Sequence, residues 1–84
     1  MNSEIYRQAQ RAMADLKAAA REAISLAEAG GLTNAELGRG LGIYAGHAGH
    51  EGHISRTLLA MLEAEGVVQQ DEETKRWTLK RPGQ

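Results

Sequence analysis

The chain has 84 residues, ten basic and eleven acidic side chains, a formal charge of -1 and no cysteine. That length makes a single domain, residues 1–84, with a modest core that often gains from a second copy; the lack of cysteine excludes disulfides, thiolate metal sites and cysteine nucleophiles and points to a reducing cytoplasm. The overall basic excess of a strong nucleic-acid binder is also excluded, since residues 1–32 carry four basic and four acidic groups and residues 33–84 carry six and seven, so any attraction to phosphate has to come from placement on one face.

Arg7, Arg11, Asp15 and Lys17 interrupt the N-terminal region, so neither a signal peptide nor a bilayer span is expected and no membrane is a partner. Ser3 is placed to cap a helix that runs without proline or glycine to Ala29, where Gly30-Gly31 supplies the stop. Ile5, Ala9, Ala12, Leu16, Ala19, Ala23 and Leu26 recur at alternating spacings of four and three, with Met13, Ala20, Ile24 and Ala27 widening the stripe. One reading packs the whole stripe on its own domain. A helix of about 27 residues, however, is about 40 Å long, longer than the small domain that follows can cover. The favoured reading gives residues 1–31 a partner helix from a second copy, making a homodimer.

Thr33-Asn34-Ala35-Glu36 fits a capping box opening a second, short helix with Leu37 and Leu41 inward and Gly42 as its left-handed end. Gly38 and Gly40 inside it either permit close helix packing or leave the element loose. Next comes Gly46-His47-Ala48-Gly49-His50-Glu51-Gly52-His53, a Gly-His pair repeated at period three. The glycines favour an irregular loop that enters the next helix near His50. Three readings of the repeat stay open: a polar turn, a loop touching phosphate or bases, or a metal site with Glu51. Helical spacing would let two histidines share an ion but suits three poorly, and no cofactor is expected.

The third helix carries Ile54, Leu58, Met61 and Leu62 on one face, a core stripe that turns Gly52, His53, Arg56, Ala60 and Glu63 outward with Ser55 and Leu59 at the flank. The first turns of such a helix can enter a major groove, where an arginine grips guanine with two hydrogen bonds and Ser55 or His53 reaches bases or phosphates. Gly66 ends the helix, and Val67-Val68-Gln69-Gln70 and Arg76-Trp77-Thr78-Leu79 read as two strands around Asp71 to Lys75. Trp77, Leu79 and Val68 are expected against the third helix. Arg76, Thr78 and Lys80 face the other way and form a basic cluster with Lys75 and Arg81; the acidic tip, Asp71-Glu72-Glu73, disfavours insertion into a minor groove.

From Leu32 to Lys80 the chain resembles the winged helix-turn-helix domains of small bacterial regulators, MarR type among them. The resemblance rests on Thr33-Asn34-Ala35-Glu36-Leu37, Leu41-Gly42, Ile54-Ser55-Arg56-Thr57-Leu58-Leu59, Leu62 to Val68 and Arg76-Trp77-Thr78-Leu79. It implies a mainly α fold with a small β-hairpin, residues 32–81 forming a helix-turn-helix plus wing behind a long N-terminal helix. It also implies a homodimeric, sequence-specific duplex-DNA-binding regulator of transcription. The candidate DNA contacts are His50, Gly52, His53, Ser55, Arg56, Thr57, Lys75 and Arg76. No nucleophile-base pair, paired carboxylates or phosphate-cradling loop suggests an enzyme. The alternative is a winged-helix protein-interaction or assembly module that does not bind DNA, which the balanced charge would suit.

Overall fold

The computed structural model describes residues 2–46 and 51–81. They form three helices followed by a two-stranded antiparallel hairpin: α1 Ser3–Leu26, α2 Asn34–Gly40, α3 His53–Ala64, β1 Val68–Gln70 and β2 Trp77–Leu79. The cap of α1 is Asn2 and not Ser3; its side-chain oxygen accepts from the Glu4 amide at 2.7 Å. The helix also stops three residues short of the expected Ala29. Ala27 is already extended, and Gly31 donates to Glu28 O at 2.8 Å to close a turn.

The early stop has a non-local cause. Leu32 must reach the hairpin, where its amide donates to Trp77 O at 3.0 Å and its carbonyl accepts from the Trp77 amide at 2.7 Å. This isolated bridge lays the segment after α1 alongside β2. Gly31 makes the approach possible: its φ is +75°, and a Cβ there would stand 2.1 Å from Trp77 O. Its role is therefore contact with the hairpin as much as a helix stop.

The start of α2 follows local sequence closely. Thr33 Oγ1 accepts from the Glu36 amide at 3.1 Å, and Glu36 Oε1 accepts from the Thr33 amide at 2.8 Å, completing the capping box. Gly42, with φ +74°, follows the Leu41 C-cap. The two internal glycines differ. A Cβ on Gly38 would come within 2.8 Å of Ser55 Oγ and 3.0 Å of the Tyr44 ring, whereas one on Gly40 would meet nothing within 4 Å. Close packing thus explains Gly38 alone.

The hairpin pairs Val68 with Leu79, Gln69 with Thr78 and Gln70 with Trp77. At its tip Asp71 Oδ1 accepts from the Glu73 and Thr74 amides at 2.9 and 2.8 Å, and Lys75 takes a left-handed φ of 63°. The core is small: Ala20 and Ile24 from α1, Leu37 from α2, Leu58, Leu59 and Leu62 from α3, with Val68 and Trp77 from the hairpin. Trp77 and Val68 are buried as alternation puts them, but the expected packing on the third helix holds for β1 alone; β2, with Trp77 and Leu79, lies chiefly against α1. The α1 stripe is covered only in part: Met13, Leu16 and Ala23 pack on the core, but every residue from Asn2 to Ala12 is exposed.

The contrast between the two glycines of α2 gives a paired test. Gly38→Ala should lower stability by about 1–3 kcal/mol because Ser55 and Tyr44 must move. Gly40→Ala should be neutral or stabilising by up to about 1 kcal/mol. Urea unfolding of both variants checks this, and equal effects would contradict the packing assigned to Gly38.

Candidate functional site

The rotation of α3 about its axis decides which side chains it offers. Its buried residues are Ser55, Leu58, Leu59 and Leu62, while Ile54 keeps 40% of its surface exposed. At 100° per residue this centres the buried face about 60° from the stripe that hydrophobicity alone selects. Ser55 is therefore inside the molecule and not at its surface. Its Oγ donates to Gly52 O at 3.0 Å and lies 3.5 Å from Asn34 O, which meets the hydrogen-bonding needs of a hydroxyl with no solvent exposure.

Gly52 is buried as well. It is the N-cap of α3 with φ +82°, and its carbonyl also accepts from Asn34 Nδ2 at 3.1 Å. A Cβ there would lie 2.7 Å from both Asn34 Nδ2 and the Tyr44 ring. Gly52 and Ser55, both expected at the interface, instead build the junction that holds α3 against α2. Asn34 and Tyr44 complete it. Neither carries a sequence signal for this task, because the partners of Asn34 lie 18 and 21 residues away.

The outward face of α3 retains His53, Arg56, Thr57 and Ala60, all exposed. Arg56 forms no ion pair among the described residues. Thr57 Oγ1 donates to His53 O at 2.9 Å, which leaves the hydroxyl oxygen able to accept. Acidic residues on this helix begin only at Glu63, in its last turn. His50, together with His47, lies outside the described residues.

The hairpin cations divide. Lys75, Lys80 and Arg81 are exposed. Arg76 is half-buried, its Nη1 donating to Gly31 O at 2.9 Å and to Glu36 Oε1 at 3.2 Å, so it ties the hairpin to the start of α2 and leaves the expected basic cluster. Arg39, on the last turn of α2, stacks over the Tyr44 ring at 4.5 Å from its centroid. That exposed cation beside the helix-helix junction was missed in the sequence, where it reads only as the residue between two glycines. Among the described residues no group of three His, Cys, Asp or Glu side chains could hold a metal ion, and no helix is long and apolar enough to cross a membrane.

No protein-family model, curated protein or solved structure matches the chain.

Two carboxylates are held below their ordinary range by bonds to the backbone. Glu36 is lowered by the Thr33 amide first, then by the Thr33 hydroxyl, with the Arg76 charge adding to both. Asp71 is lowered by the Thr74 and Glu73 amides, then by the Thr74 side chain and the Lys75 charge. A depressed folded-state pKa contributes stability that is present above the unfolded value and is lost as pH falls through the folded one. Glu36→Gln and Asp71→Asn should therefore each be less stable than the parent at pH 7, with the difference closing below the carboxylate range. Denaturant titrations at both pH values read this; a gap that persists in acid would assign the effect to shape and not to charge.

The two predicted contact serine and arginine positions on α3 separate in the same kind of measurement. Ser55→Ala should cost about 1 kcal/mol of stability through the lost buried bond. Arg56→Ala should leave stability within about 0.5 kcal/mol, as an exposed substitution. A thermal melt that ranks them in the opposite order would contradict the rotation of α3.

Proposed function

We propose that this chain is a winged helix-turn-helix domain that binds duplex DNA through the outer face of α3. The element order supports the reading: two helices packed against each other across a glycine-containing turn, then a hairpin joined by Leu32, which pairs with its second strand. The observation that carries it is the composition of the first two turns of α3. There His53, Arg56 and Thr57 stand exposed around a small residue, Ala60, with no carboxylate on the helix before Glu63.

Such a surface suits groove contact. Arg56 has a planar fork able to bind guanine O6 and N7 together or to hold a phosphate, and Thr57 and His53 supply shorter polar groups on the same side. Lys75, Lys80 and Arg81 are the exposed hairpin cations available to backbone phosphates. Arg39 is a further candidate, its guanidinium carried on Tyr44. Sequence-specific regulation of transcription is the use this mode of binding suggests. Use as a protein-interaction module without DNA binding is the competing reading, favoured by the 40% exposure of Ile54.

Fluorescence anisotropy on a labelled generic duplex at low and moderate salt separates the two. Binding should weaken steeply with salt, and Arg56→Ala should weaken it by about 1–3 kcal/mol if a base is read, or reduce the salt slope by about one if a phosphate is held. No anisotropy change with tens of micromolar protein in low salt would reject DNA as the partner.

A further inference from the structure

The N-terminal half of α1 projects from the domain with an apolar stripe that no part of the described chain covers. From Asn2 to Ala12 every residue is exposed; Ile5 keeps 56% and Tyr6 60% of its surface. Where the stripe meets the domain it runs into a mostly apolar groove of about 220 Å³ between α1 and α3, lined by Met13 and Leu16 on one side and by Ile54, Leu58 and Met61, with His53 and Thr57, on the other. The rotation of α3 created this groove by leaving Ile54 on its rim.

We propose that a second copy of the chain covers both features, with the two α1 helices antiparallel and Ala9 of one copy opposite Ala12 of the other. The partner's Ile5 then lies over Leu16, at the mouth of the groove. Three observations select this occupant, and none depends on DNA binding.

The first is the pattern. Ile5, Ala9, Ala12 and Leu16 are spaced four, three and four, with large residues outside and alanines within, so the stripe reads the same in both directions. A two-fold contact requires this self-complementarity, because each position must accept its mirror position from the other copy. The second is continuity. Leu16 and Met13 belong both to the stripe and to the groove, so one chain carries a ridge and its receptor side by side, and two copies satisfy both at once. The third is charge. At 100° per residue Arg7 and Arg11 fall on the side of α1 away from the stripe, and Glu4 and Asp15 lie at its flank, outside the line from Ile5 to Leu16. Two copies can close on each other without burying an ion.

The segment from Ile5 to Leu16 is about 17 Å long. Alanine at its centre lets the helix axes approach closely but contributes little area. The dimer should therefore be weak, with a micromolar dissociation constant, and should form at the concentrations of a sedimentation experiment.

Sedimentation equilibrium from one to several hundred micromolar provides the test. The wild-type mass should rise from 9.1 kDa to twice that value. Ala9→Glu, a change at an exposed position, should hold the mass at that of one chain with an unchanged far-ultraviolet spectrum, while Ala14→Glu on the opposite side of α1 should dimerise as the parent does. The absence of cysteine allows a second readout that does not depend on the glutamate variant. Oxidising an equal mixture of Ala9→Cys and Ala12→Cys chains should give mainly the mixed 9–12 disulfide, because the 9–9 and 12–12 pairs are about 4.5 Å out of alignment along the axis. A wild-type chain that stays monomeric throughout, a dimer indifferent to Ala9→Glu, or a preference for 9–9 or 12–12 cross-links would overturn the proposal. DNA binding by a monomer would leave the preceding reading intact while removing this one.

Discussion

The rotation of α3 is the constraint on which the rest of the surface depends, and a buried hydroxyl packed against a glycine fixes it. Ser55 Oγ donates to Gly52 O at 3.0 Å and would sit 2.8 Å from any Cβ on Gly38. Because Gly38 lacks that carbon, α2 and α3 approach closely enough for Leu37 and Leu59 to reach essentially zero exposure on the same interface. The serine costs little inside, since its proton finds a backbone carbonyl one helical turn back. Turning α3 the other way, with Ile54 inward, would strip Ser55 of this packing and bring Met61 toward the core instead of toward α1. The arrangement thus decides two surfaces at once: Arg56 and Ala60 outward on one side, Ile54 and Met61 along the α1 groove on another, with exposed His53 and Thr57 on the edge they share.

A second fixed point lies at the opposite end of the core. Leu32 and Trp77 exchange both backbone bonds, Gly31 lets the strands meet, and Arg76 reaches from the hairpin to Gly31 O and to the carboxylate that caps α2. One glutamate, Glu36, therefore takes part in a helix start and in anchoring the hairpin. This explains why the cations of the hairpin are not equivalent. Arg76 serves the fold, whereas Lys75 gains exposure from the left-handed turn that the Asp71 carboxylate organises through two amides. The acidic tip is in part a structural device, because Asp71 holds the turn together.

Local signals carried much of the architecture. The capping box at Thr33 and Glu36, the left-handed Gly42, the two strands and the inward Trp77 all depend on neighbours within a few residues or on simple alternation, and these the chain states directly. The end of α1 and the rotation of α3 are set by partners far along the sequence. Leu32 is drawn to Trp77, which no helix-stop rule anticipates. For α3, hydrophobicity favours Ile54 over Ser55, and only the hollow at Gly38 and the carbonyl of Gly52 reverse that order. The same reversal separates the candidate site: Arg56, His53 and Thr57 are legible as outward residues, while Gly52 and Ser55, read as contacts, are packing. Gly38 and Gly40 show the limit most clearly, being two residues apart in one short helix and yet indistinguishable without knowing that Tyr44 and Ser55 press on only one of them.

The two halves of α1 follow from how little core this chain has. Toward its C-terminus the helix is secured by Ala20 and Ile24 in the core and by the Lys17–Glu65 pair at 2.5 Å, which joins α1 to the end of α3. That pair is partly exposed, so it fixes register more than it adds stability. Toward its N-terminus the helix is extended by its capped, glycine-free sequence alone, and alanine is the residue that makes such an extension cheapest. An overhang built this way costs little to form and is covered by none of the described residues. It nevertheless continues the same apolar face that, from Met13 onward, packs on the domain. That stripe continues past the edge of the core with no charged residue on the line from Ile5 to Leu16, a pattern the proposed second helix would account for.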